Sequence, residues 1–385
     1  MSPFIWKSRS LLASLSLVGL LMGPLGYGAT TDPMESTEPV LALESTAQTE
    51  SAETGPDYAL ARVDWLEPVV LTTDTPSFAL VTGRAVKMRA FVTAPQAGAP
   101  APQVHVRVLD SQQVLSDSVM EPPTPAIVGT QPELGSLSAA YLFQLRAEWV
   151  KPGLQVELTV ESGPDGTDPD LTNNHLVLRP TVDPAHVLYL TVVPVRTQME
   201  GLASLPEEAN GPEATRQALK SLLMATFPLS DVKIRIHAPY DAHVTTQYNN
   251  WGYLLGEIDN LSFSEGSHGY YLGFIKPSGG STVGNSFMPG TVAIVASGDP
   301  WLKGTVRHEL GHNFFRSHAY CGPLDASGQN WGYNAEKNQM IDPTLTNDDM
   351  SYCGPSWVSR ANYLGILKQL KVYGLDKPKD ISDWK

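Results

Sequence analysis

Arg307 to His318 reads R-H-E-L-G-H-N-F-F-R-S-H, and the rest of the chain is interpreted from it. His308, Glu309 and His312 match H-E-x-x-H, and His318 follows six residues after the second histidine. Residues i and i+4 share a helix face, so His308 and His312 can aim two imidazoles at one metal ion. Glu309 points from another side of the same turn, where it can hold a water rather than the metal. His318 lies off that stripe. It can be the third ligand only if the helix stops after about Phe314 and the chain turns back. Three ligands with a fourth position open suit a catalytic zinc ion, which lowers the pKa of its water to about 7. Glu309 is then the expected general base, returning the proton to the leaving amine.

Downstream stands Asp348-Asp349-Met350-Ser351-Tyr352. H-E-x-x-H-x-x-G-x-x-H followed by such a Met-x-Tyr is the signature of the metzincin metallopeptidases, and this chain resembles one. Within that family H-E-L-G-H-N, then H-A-x-C-G and Met-Ser-Tyr-Cys, are similar to the secreted StcE-like, mucin-cleaving group. The likeness covers roughly residues 183–370 and is specific at the motifs. It implies one catalytic zinc on His308, His312 and His318, with Glu309 as base. Met350 forms an apolar floor under the ion, and Tyr352 is a further ligand or a donor to the oxyanion. It also implies an open edge strand pairing with substrate, here expected at residues 291–296, with the Gly-rich loop 278–285 as rim or flap. One position departs from the family. Phe315 stands where glycine is usual, and if the turn needs φ > 0 a phenylalanine costs about 1–2 kcal/mol and could displace His318. Asp325 is a substitute third ligand whose spacing fits poorly.

Lys7 and Arg9 precede an apolar run, 11–25, that ends in small residues. Residues 1–28 therefore read as a signal peptide, with an uncleaved anchor as the alternative. Residues 29–56 are Thr-, Ser-, Glu- and Ala-rich without apolar period, and read as a disordered acidic linker or a pro-segment. Export favours a disulfide between the only two cysteines, Cys321 and Cys353, over two buried thiols. It would tie the loop after His318 to the loop after Met350. The net charge of −14 argues against nucleic acid or an anionic membrane as partner.

The expected fold is multidomain: an all-β immunoglobulin-like sandwich over 57–183, then an α+β metzincin-type zinc protease domain over 184–385. Short alternating runs at 85–91, 104–109, 141–148, 155–161 and 175–178, broken by Pro and Gly, give the sandwich. Its acidic turn, residues 165–170 with Asn173 and Asn174, is a hairpin loop or, without support from spacing, a calcium site. The second half alternates strands (186–195, 232–237, 269–275, 291–296) with helices (212–226, parts of 249–261, 359–372). The helix carrying H-E-x-x-H starts at Asp299-Pro300 or restarts at Gly304-Thr305. The other histidines (105, 175, 186, 237, 243, 268) read as surface or satisfied side chains, with His268 nearest the cleft.

The expected activity is a secreted, monomeric zinc endopeptidase acting on extracellular proteins or glycoproteins, with the periplasm as another location. The rival is a secreted zinc-containing adhesin or binding protein, weak or inactive as a catalyst. An intact Glu309 argues against that rival and Phe315 for it. Acid is expected to release the metal, because only neutral histidine ligates.

Overall fold

The computed structural model describes residues 55–161, 168–247, 250–266, 269–382 and 384. The signal peptide, the linker up to residue 54, the turn residues 165–167 and His268 lie outside the described residues.

Seven main strands precede residue 180. They are β1 (Ala59–Leu66), β2 (Val86–Thr93), β3 (Val104–Asp110), β4 (Gln113–Val119), β5 (Tyr141–Leu145), β6 (Leu154–Val160) and β7 (His175–Leu178). The short Val70–Leu71, β1, β2 and β5 form one antiparallel sheet, and β7, β6, β3 and β4 the other. Strand side chains alternate between faces, so Trp65, Met88 and Ala90 of one sheet meet Val104, Val106, Val108, Val156 and Leu158 of the other in one core. The strand expected over 141–148 ends at Leu145, because a 3-10 turn takes over at Ala147–Trp149.

The second half is built on β8 (Val187–Thr197), β9 (Asp231–Ile236), β10 (Tyr270–Ile275), β11 (Gly284–Ser286) and β12 (Val292–Ala296). The order across the sheet is β9, β8, β10, β12, β11, with the first four parallel and β11 antiparallel to its neighbour. Helices α1 (Pro212–Met224), α3 (Leu302–Asn313) and α4 (Arg360–Tyr373) cover one face, and α2 (Trp251–Ser264) the other. β8, β10 and β12 are therefore almost wholly buried, which is why they read as continuous apolar runs.

Residues 291–296 do not form the open edge. β12 is hydrogen-bonded on both sides, and the edge is β11, which starts at the end of the Gly-rich loop and runs one residue past it. Three residues, Gly-Asn-Ser, carry no apolar alternation by which sequence could reveal a strand.

The two halves share a core. Trp357, Val358 and Tyr363 sit in the sandwich cluster, Trp357 Nε1 donates to Pro68 O (2.7 Å), and Val70 N to Trp331 O (2.9 Å). Arg84, from the sandwich, lies buried under the second half, where it donates to Met224 O, Phe227 O and Leu229 O while pairing with Glu67.

Candidate metal and catalytic site

α3 is entered through a turn held by Asp299, whose side chain accepts from Trp301 N and whose carbonyl accepts from Leu302 N. The helix itself begins at Leu302 with Trp301 as N-cap, between the two expected starts, because Asp299 holds the preceding turn rather than capping the helix. Leu310 and Val306 bury one stripe of the helix against the sheet, which turns His308, Glu309 and His312 toward a cleft of about 1010 Å³.

The helix closes with a Schellman motif. Phe315 N donates to His312 O and Arg316 N to Gly311 O, both at 2.9 Å, with Phe315 at φ 66°. The turn does require the left-handed conformation, and Phe315 adopts it with its side chain half out in solvent. His318 is not displaced: its Nε2 stands 3.0 Å from His312 Nε2, which is itself 3.1 Å from His308 Nε2. Phe315→Gly should leave metal binding unchanged and raise stability by about 1 kcal/mol, partly offset by the freer unfolded chain. A urea midpoint that does not rise would count against this.

The three histidines can hold a metal ion, and no other such cluster occurs among the described residues. The tautomers suit it. His308 Nδ1 donates to Asp349 O (2.8 Å) and His312 Nδ1 to Arg316 O (2.6 Å), which leaves each Nε2 lone pair facing inward. Nitrogen ligands on a tetrahedral zinc at ~2.0–2.1 Å stand ~3.3 Å apart, close to the spacings seen. Asp325 is no ligand. Its carboxylate is spent on Ser327, Gln329 and Asn330 and held down to about 2 by those bonds. Asp168 and Asp170, the described part of the acidic turn, likewise accept protein hydrogen bonds.

Burial lowers the pKa of His308 and takes His312 down to about 4. His312 is thus neutral at pH 6 without help from a metal and His308 is less protonated there than a free imidazole, so zinc affinity should fall less through that range than exposed histidines would allow, and weaken toward pH 4. Competition with a chelator at stepped pH tests this, and a steep loss already between pH 7 and 6 for a His318→Ala protein would refute it.

Met350 is buried beneath the helix, and a Cβ at Gly311 would overlap its Sδ. The sulfur fits the expected floor, and the glycine of H-E-L-G-H is what admits it. Cys321 and Cys353 are joined, and Ala319 N bonds to Met350 O beside them (2.9 Å), so the third-histidine loop and the methionine loop move as one. The Tyr352 hydroxyl is 2.7 Å from His318 Nε2, and burial followed by the Glu309 charge raises its pKa.

Several contributors escaped the sequence reading. Arg307 makes a bidentate pair with Asp349, both N–O distances being 2.8 Å, and so fixes the carbonyl that orients His308. Ser286 donates to Glu309 Oε2 at 2.5 Å. Burial pushes the Glu309 carboxyl up to about 7, the Ser286 bond opposing.

No family model and no curated protein matches the chain. A solved chain titled "Structure of a chaperone-substrate complex" aligns with 60% of this chain at 12% identity and a TM-score of 0.30. This chain covers 39% of the length of that one, and a likeness so slight carries no argument.

Proposed function

We propose that the chain is an exported zinc endopeptidase of the metzincin kind, acting on extracellular proteins or glycoproteins. The observation that carries the reading is the convergence of three imidazole nitrogens, a buried carboxyl and a phenol in one open cleft below an unpaired strand edge. His308, His312 and His318 would hold the ion, which when bound polarises a carbonyl and acidifies water. Glu309, poised near neutrality, can take a proton from the attacking water and return it to the amine. Tyr352 can donate to the oxygen on which negative charge develops. β11 offers its outer edge to an extended peptide. Export rests on residues 1–28. No helix among the described residues is long and apolar enough to cross a membrane.

Phe315 was the one feature favouring an inactive binding protein, and it leaves the histidine cluster closed up. The deciding experiment is hydrolysis of casein and mucin by the mature chain as purified, after chelation, and after zinc is restored, with metal content measured each time. Cleavage that vanishes and returns with zinc is expected. Zinc bound without cleavage of either substrate would move the weight to the binding protein.

A further inference from the structure

β11 meets Glu309 with two positions of one strand face, since residues 284 and 286 are two apart and point to the same side. At 286 the hydroxyl donates to Glu309 Oε2 (2.5 Å), the one hydrogen bond on that carboxyl among the described residues. At 284 there is no side chain, and a Cβ there would overlap Glu309 Oε1 and Cγ. Gly284, Ser286 and Glu309 all line the cleft. The strand thus grips one carboxyl oxygen and makes room for the other.

We infer that Ser286 is a positioning residue for Glu309: its hydroxyl fixes Oε2 from the edge strand and leaves Oε1 free in the cleft, over the bare face of Gly284. The inference rests on the proposed role of Glu309 as base. It places the donor on the strand that an extended substrate would pair with, so the base and the substrate backbone are registered by the same three residues. Without the hydroxyl the carboxyl keeps its burial but loses its fixed rotamer, and proton transfer slows while substrate binding does not.

The test compares zinc-loaded wild type, Ser286→Ala, Ser286→Thr and Glu309→Gln by casein hydrolysis and by acetohydroxamate binding in a calorimeter. A hydroxamate ligates an open metal site and shares its proton with a neighbouring carboxylate, so its affinity reads carboxyl placement without turnover. For Ser286→Ala, kcat should fall about tenfold with KM unchanged, and the acetohydroxamate Kd should rise by a similar factor. Zinc content and thermal midpoint should stay as in wild type, and Ser286→Thr should restore both constants. Wild-type values for Ser286→Ala, tighter hydroxamate binding, no rescue by threonine, or a loss that follows lost zinc would each overturn the inference. If casein is not cut, the hydroxamate arm decides alone. Wild-type cleavage by Glu309→Gln would instead remove the base assignment itself, and the inference with it.

Discussion

A Glu309→Gln protein should keep its zinc, lose about a hundred- to ten-thousandfold in peptide hydrolysis, and, freed of metal, be more stable than wild type at pH 8. The three outcomes share one cause. The metal cluster consists of histidines alone, so the ion loses no ligand. Glutamine has the shape of glutamate, can still accept from Ser286, and cannot take up a proton. Stability follows from burial, which pushes the carboxyl from its usual 4.5 to about 7. A carboxyl whose folded pKa lies above its unfolded value stabilises the fold only while protonated. That contribution is complete below about pH 4.5 and is lost as pH rises through about 7. Above pH 7 the metal-free wild type therefore carries a destabilising charge, on the order of 3 kcal/mol, that glutamine lacks. Thermal unfolding of both metal-free proteins should show a gap that is small near pH 5, widens toward pH 7 and then holds. A gap independent of pH would mean that Glu309 is not held where its ionised form is disfavoured. A gap that widens with pH would mean that the site keeps a residue that weakens the fold, as a catalytic group is expected to.

What sequence could and could not show divides along physical lines. The ligand stripe was legible because helix geometry fixes where i and i+4 point, and the sandwich because alternation fixes which side chains face inward. The disulfide followed from having two cysteines in a chain expected to be exported. Phe315 was legible as a cost but not as an outcome. Only the Schellman bonds show that the left-handed turn is kept and that a half-exposed ring tolerates it. Ser286 and Gly284 were hidden because a three-residue polar strand has no periodicity of its own. Its pairing with β12 comes from the sheet, and its grip on Glu309 from two segments more than twenty residues apart. The halves were separable in sequence because pattern changes near residue 183. Packing joins them through contacts as remote as Trp357 with Pro68, which no local pattern records.

That joint supplies the second large effect: Arg84→Met should cost about 3–5 kcal/mol, more than a buried methionine can return. Arg84 and Glu67 are 7% and 2% exposed and pair at 2.6 Å, and the same guanidinium serves three carbonyls at and beyond the end of α1. Removing it strands a buried carboxylate and leaves Met224 O, Phe227 O and Leu229 O short of a donor. It also withdraws a cation from a helix C-terminus. Most of the loss is the cost of the orphaned charge, so adding Glu67→Leu should recover a large part of it, and the double variant should be more stable than Arg84→Met alone. Urea unfolding followed by tryptophan fluorescence and far-ultraviolet dichroism measures this. Because sandwich and second half share a core, both probes should shift together in one transition, in the wild type and in each variant. If Arg84→Met instead splits the curve in two, with one half unfolding at the wild-type midpoint, the halves are independently stable and Arg84 only docks them. If it lowers one common midpoint, the sandwich is part of what keeps α3, and with it the histidines, in place.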